Sequence, residues 1–532
     1  MKSIIYYISI FCVVLSCLSC QDKRRANDGK TVFRYNESAN IQTLDPAFAR
    51  SMAIIWPCNQ LFNGLVQLDD SLQVRGDIAK SWTISEDGKQ YDFVLNNQVF
   101  FHKHINFGKD STRAVVAGDF EYSFNRLLSS ELASPGAWIF QKVDHFKTVN
   151  DSVFRIVLKE PFPAFLGLLS MRYASVVPKE VVEDPEADFR SHPVGTGPFH
   201  FQFWEENVKL VLRKNERYFE RDAQGVQLPY LDAVAITFLP DKQSAFLQFL
   251  QGNLDFISGL DPSYKDDIIT ADGQLQEKHQ GKVTMLTGPY LNTEYLGYNM
   301  ESNSAVKDIR IREAMNIGFD RAKMLMYLRS GMGEGNIGGM IPTGLGGSFQ
   351  TDKKYNPIKA KALVDSYKKE THATTVQVTL STNSSYLDIA EYLQREWQKI
   401  GIDLIVDVAP PATLRQGMAS GKFEFFRGSW IADYPDAENY LSLFYSTNKA
   451  PNGPNYTRFA NKQFDQLYNQ AFKEVSVEKR NQLYQQMDKV IADDLPVIVL
   501  FYDKAVRFTH PTIKGLGINP MNNLFLKNVR KE

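Results

Sequence analysis

The sequence predicts a mixed α/β chain of roughly two to four domains. Three observations lead there. The chain has 532 residues, too many for one simple core. From Val32 onward, short runs of alternating apolar and polar residues are interleaved with stretches of helical period. Between them lie turn residues in hairpin spacing.

In chain order, the first element is a secretory signal. Lys2 supplies a positive charge, residues 4–18 are almost all apolar, and small residues precede cysteine. At about fifteen residues the apolar run is shorter than the roughly 20 that a bilayer span needs. Val14-Leu15-Ser16-Cys17 and Cys17-Leu18-Ser19-Cys20 both resemble the lipobox of bacterial lipoproteins. Cys20 is the favoured acyl site because the polar run Gln21-Asp22-Lys23-Arg24-Arg25 starts directly after it. Residues 1–19 are then signal and 20–30 a tether, and the fold begins near Thr31.

Trp82-Thr83-Ile84-Ser85 and Tyr91-Asp92-Phe93-Val94-Leu95 flank Asp87-Gly88, a hairpin signal. Residues 117–128 carry Phe120, Phe124, Leu127 and Leu128 at helical spacing. A second hairpin is expected over 199–212, turning at Glu206-Asn207. Helical period recurs at 308–316, 358–369, 386–400 and 477–493, with strands at 376–380 and 404–408 between them. Residues 331–347 are rich in glycine but lack the spacing of a phosphate loop, so they read as a connection. There is no internal repeat and no low-complexity stretch.

Composition excludes some functions. Lys plus Arg (60) nearly balance Asp plus Glu (61), and no basic run is interleaved with aromatics, so nucleic acid is not a partner. Past the signal no apolar stretch approaches spanning length. Of the four cysteines, Cys58 alone lies beyond the proposed acyl site, and it is expected as a buried small apolar residue. No GxSxG, no HExxH and no nucleophile with a placed base is present, so an enzyme is not expected.

A set of short stretches then identifies a family. Gln42-Thr43-Leu44-Asp45-Pro46, Leu61-Phe62-Asn63-Gly64-Leu65 and Ala79-Lys80-Ser81-Trp82 come first. Pro193-Val194-Gly195-Thr196-Gly197-Pro198-Phe199, Asn215-Glu216-Arg217-Tyr218-Phe219, Asp308-Ile309-Arg310-Ile311-Arg312-Glu313-Ala314 and Phe319-Asp320-Arg321 follow in that order. From about Thr31 to Lys531 the chain resembles the family 5 extracellular solute-binding proteins of ABC importers, which carry oligopeptides, dipeptides or nickel. Gly195 and Gly197 are expected at positive φ in a sharp reversal, and Asp308 as a helix cap.

The resemblance implies a two-lobed periplasmic-binding-protein type II fold with an extra subdomain on lobe I. Mapped here, lobe I takes 31–62, 185–288 and 503–532, the extra subdomain 63–184, and lobe II 289–502. It implies no cofactor, short peptides as cargo, permease subunits as partners, a monomer, and an exported protein held in the cell envelope by its lipid.

Around the ligand the chain looks most like the oligopeptide binders. Their motif stands here as Arg427, Trp430, Asp433 and Tyr434, and it implies that Asp433 pairs with the peptide's α-amino group. By local sequence alone Asp433 is a loop aspartate opening a turn before Pro435; a carboxylate set among rings also suits a desolvated cation. Arg427 and Trp430 are expected to line the cleft, the arginine facing a peptide carboxylate. Tyr290 and Tyr295 in Pro289-Tyr290-Leu291-Asn292-Thr293-Glu294-Tyr295, and Tyr502 in Val499-Leu500-Phe501-Tyr502, are further expected contacts, with Phe501 in the core. Specificity would be for length and charged ends, because main-chain bonds and wet pockets accept many side chains.

One departure stands out. Where the family has Asp-Gly-Thr, this chain has Phe101-His102-Lys103-His104-Ile105-Asn106-Phe107. His102 and His104 raise a metal site, but histidines one residue apart in a turn, with no clear partner, are expected at the surface and no metal is assigned. Nickel, haem or glutathione is the alternative cargo, and a peptide sensor uncoupled from import the alternative role.

Overall fold

The computed structural model describes residues 30–261, 263–335, 338–350 and 354–532. The signal and Cys20 lie outside them. No helix among the described residues is long and apolar enough to cross a membrane.

A ten-stranded sheet runs through the molecule. From one edge to the other its order is Ile402–Val408, Val376–Thr382, Phe425–Ile431, Thr284–Tyr298, Val497–Thr509, Phe256–Ser258, Val32–Asn36, Ala233–Thr237, Lys209–Lys214 and Phe199–Glu205. The two long strands at its centre are antiparallel. Residues 284–289 pair with 504–509 and residues 293–297 with 497–502, and the register slips between Pro289 and Thr293. On one side of that slip Val497–Thr509 hands the sheet to Phe256–Ser258; on the other, Thr284–Tyr298 hands it to Phe425–Ile431. A sheet carried across on two strands is the frame of a two-lobed protein.

Each half has its own core. Phe33, Tyr35 and Phe256 pack together on one side, and Tyr298, Trp397 and Phe425 on the other. Leu387–Lys399 buries Ile389, Leu393 and Trp397 on a single face, and the Trp397 Nε1 donates to the Met315 carbonyl at 2.9 Å. Cys58 is fully buried, as its apolar character requires.

A separate four-stranded antiparallel sheet orders Ala79–Ile84, Gln90–Leu95, Val153–Leu158 and Val143–Asn150. Its first two strands are the expected hairpin, with Gly88 at φ 69° in the turn. Helix Ala117–Leu128 lies against it through Phe120 and Phe124, which meet Phe146 and Phe154. The second expected hairpin forms from Phe199–Glu205 and Lys209–Lys214, and Asn207 takes φ 61° at its turn. Asp308 caps Ile309–Ile317 by accepting from the Arg310 N–H.

Two expectations need correction. Gly195 and Gly197 are not among the positive-φ residues. Their need is steric: a Cβ on Gly195 would lie 2.1 Å from the Leu61 carbonyl oxygen, and one on Gly197 would lie 2.4 Å from that of Gln60. The segment passes directly under the end of helix Met52–Leu61. His102 is buried rather than at the surface, and that same segment holds its ring. The Gly195 N–H donates to Nδ1 at 3.2 Å, which places the proton on Nε2, 3.0 Å from the Gly197 carbonyl. Burial pushes its pKa down to about 3, so the ring is a neutral brace.

Candidate ligand-binding cleft

Strand Phe425–Ile431 delivers the loop that carries Asp433. The Ala432 N–H donates to the Leu291 carbonyl at 2.9 Å, and the Tyr440 hydroxyl donates to the same oxygen at 2.7 Å, so the loop is tied to the long strand at both ends. Asn439 organises its middle. Its Oδ1 accepts from the Trp430 Nε1 at 2.8 Å and from the Asp433 N–H at 3.3 Å. Tyr434 is buried, and its hydroxyl donates to Glu438, which also accepts from Tyr468.

The Asp433 side chain is left open to solvent at the junction of two cavities. The larger, about 770 Å³, has walls of Trp138, Phe162, Trp430, Tyr434, Tyr468 and Phe472. The smaller, about 300 Å³, runs toward Tyr290 and is faced by Arg50, Ser51 and Tyr173. Tyr290 is half-buried and meets the cavity from the long strand, just beyond the register slip. Walls close around the carboxylate although water reaches it, and this desolvation raises its pKa; a hydrogen bond with Asn439 opposes the shift. Among the described residues no lysine or arginine forms an ion pair with Asp433.

Trp430, Asp433 and Tyr290 are thus brought together, with Tyr434 behind them. The structure sets the other expected contacts elsewhere. Tyr295 is 5% exposed in a core with Leu291, Met340 and Phe426, and its ring lies where a Cβ on Gly428 would stand, 2.6 Å away. Tyr502 is 3% exposed, and its hydroxyl donates to the Gly339 carbonyl at 2.8 Å, tying down the glycine-rich connection. Phe501 is in the core, as expected. Arg427 forms an ion pair with buried Glu294, and its guanidinium carbon lies 3.4 Å from the centre of the Tyr386 ring.

That ion pair belongs to a polar cluster beside the crossing. Asn292 Nδ2 donates to Glu294 at 3.1 Å and to Asp503 at 3.2 Å, and the Tyr386 hydroxyl donates to Glu294 at 3.1 Å. Burial, and then the Glu294 charge, push the Asp503 carboxyl up to about 6. A carboxyl with a folded-state pKa above its usual 3.8 binds its proton more readily in the folded chain, so it stabilises the fold as pH falls from about 6 toward that value. Asp503→Asn should therefore raise the melting temperature at pH 7.5, by at most about 3 kcal/mol of stability, with the gain fading by pH 4. His102 acts in the opposite direction, losing stability as pH falls through the ordinary histidine range, but it is present in both proteins and cancels from the comparison.

The sequence also matches a known family. The model of bacterial extracellular solute-binding proteins, family 5, matches residues 73–452. The chain belongs to this family. It is 26% identical over 506 residues to a probable D,D-dipeptide-binding periplasmic protein of Escherichia coli (strain K12), covering 92% of each chain. It is 27% identical to heme-binding protein A of Haemophilus influenzae, covering 87% of this chain and 85% of that one. A periplasmic binding protein from Helicobacter pylori, solved with the peptide STSA, superposes with a TM-score of 0.74 at 22% identity, over 94% of this chain and 98% of that one.

The chain is thus similar to solute-binding proteins of transport rather than to enzymes. Among the described residues no group of three or more His, Cys, Asp or Glu side chains is placed to hold a metal. The sequence reading missed Asn439, Tyr173 and Arg50. Asn439 lies in the same loop as Asp433 without any periodic pattern to mark it, whereas Tyr173 and Arg50 reach the smaller cavity from parts of the chain far from that loop.

Proposed function

We propose that this protein is the substrate-binding component of an ABC importer, capturing short peptides in extended form between its lobes and delivering them to membrane permease subunits. The observation that carries the reading is Asp433, an unpaired carboxylate held by Asn439 at the junction of two cavities. A peptide ammonium supplies the missing cation, and Trp430 and Tyr290 offer flat apolar surface beside it. The D,D-dipeptide relative adds support.

Lobe I is taken as 31–62, 185–288 and 503–532, the extra subdomain as 63–184 and lobe II as 289–502, a division consistent with strands that cross at 284–298 and 497–509. Ligand favours closure because only the closed state gives it contacts from both lobes. Phe162 and Phe472, stacked 5.2 Å apart at 9°, belong to the seam that closure brings together. Titration calorimetry tests the cargo: a mixed library of two- to six-residue peptides should give binding heat, and the N-acetylated library at least tenfold weaker binding. Equal binding of the two libraries would reject this role for Asp433.

The protein acts as a monomer, tethered to the envelope through a lipid on Cys20. In the native host, Cys20→Ala should abolish palmitate labelling and release the protein from the membrane fraction. Label lost in Cys17→Ala instead would move the acyl site. Haem is the second reading, favoured by the aromatic wall of the larger cavity and by the Haemophilus relative. A Soret band in the freshly purified protein would select it.

A further inference from the structure

The smaller cavity beside Asp433 contains the opposite charge as well. Arg50 and Asp433 both line this space of about 300 Å³, as do Tyr173 and Tyr290. Arg50 is exposed, and among the described residues it makes no ion pair and no side-chain hydrogen bond. Asp433 likewise has no cation. Two unlike charges share one small cavity and do not pair with each other.

The other basic groups in reach are already committed. Arg172 lines the same cavity, but its guanidinium donates to the Phe62 carbonyl at 3.1 Å and the Ser170 carbonyl at 3.3 Å. Arg427, the carboxylate partner expected from sequence, is held by Glu294. Arg50 also directly precedes Ser51, the N-cap of helix Met52–Leu61, which makes no side-chain capping bond. The helix therefore presents its positive end to the cavity beside the Arg50 guanidinium, and the two reinforce each other toward an anion.

We infer that Arg50 holds the carboxylate of a short zwitterionic peptide whose ammonium group is on Asp433, so that the cleft selects di- and tripeptides with both ends free. The inference rests on the peptide reading above and adds the opposite end of the ligand. A space of about 300 Å³ is at the lower limit for ligand pockets, which suits a main chain of two or three residues. The larger cavity on the other flank of Asp433 is left for the first side chain. Longer peptides would have to leave Arg50 unpaired or thread past it.

The test is a competition read by native mass spectrometry, using equimolar free-acid, C-amidated and N-acetylated forms of one mixed dipeptide library. Wild-type protein should prefer the free acids to the amides by at least tenfold. Arg50→Gln should bind acids and amides about equally, keep its preference against acetylated forms, and melt at the wild-type temperature. Arg50→Lys should restore part of the preference for acids. If Arg50→Gln discriminates acid from amide as strongly as wild type, the assignment of Arg50 is overturned while the peptide reading and Asp433 stand. If wild type binds no dipeptide in any form, the selection for short zwitterions is overturned, and the peptide reading falls with it only if the two- to six-residue library is ignored as well.

Discussion

Asp433→Ala should lower the affinity for a free peptide at least tenfold and leave the affinity for its N-acetylated form almost unchanged. The loop around the carboxylate is held in place by the protein itself: Asn439 fixes the Asp433 backbone and the Trp430 indole, and the Leu291 carbonyl anchors the loop at either side. A charge-assisted bond in such a walled place is worth about 1.5–3 kcal/mol, which is tenfold to over a hundredfold in affinity. Alanine removes more than this bond, because a bound ammonium is then left desolvated without a counter-charge. The fold should not suffer. The side chain is open to solvent, forms no ion pair among the described residues, and pays a desolvation cost that the substitution removes. Calorimetry on the free and acetylated peptide, with a thermal melt of each protein, separates a lost contact from a damaged fold.

Asp488→Ala should strongly destabilise the fold. Asp488 is fully buried in helix Val477–Asp494, and its carboxyl accepts the backbone N–H groups of Met340 at 2.6 Å, Ile341 at 3.4 Å and Phe349 at 3.0 Å. It is the post around which the glycine-rich connection turns. Gly339 passes so close that an added Cβ would lie 2.1 Å from the Asp488 Oδ1. Alanine leaves two buried donors and one part-buried donor without this acceptor, a loss of roughly 3 kcal/mol or more. Part is offset, because burial has pushed the carboxyl up to about 7 and an anion there is costly. Asp488→Asn should fall between. Its single amide oxygen can still serve Met340 and Ile341 but sets an NH2 against the Phe349 N–H. Melting temperatures in the order wild type, Asn, Ala check this; an alanine variant that melts with wild type would contradict it.

The sequence revealed the frame and the Asp433 loop more readily than the other side chains of the candidate cleft. The Asp433 loop was legible because four residue types occur there in a motif, and a motif survives without knowledge of the packing. The tyrosines were not. Tyr290 and Tyr295 are five residues apart, an odd spacing that places them on opposite faces of a regular strand, so only one can face the ligand. The register slip between Pro289 and Thr293 decides which, and no local pattern announces it. Tyr502 has a similar history: an aromatic at the strand crossing suits a ligand equally well as a core, and the Gly339 carbonyl that claims its hydroxyl is far away in sequence. Arg427 was assigned to a carboxylate, and a carboxylate is what it meets, but it is the protein's own Glu294. By sequence Gly195 and Gly197 suit positive φ in a sharp reversal, whereas what requires glycine there is the nearness of helix Met52–Leu61. Each of these differences arises from contacts distant in sequence.

The most direct measurement is native mass spectrometry of the mature protein purified from its own host, before and after challenge with a mixed library of two- to six-residue peptides. The account predicts retained peptide masses with free amino termini, exchanged by the library and lost in Asp433→Ala. A protein that ignores the library and retains haem, glutathione or a metal would contradict it.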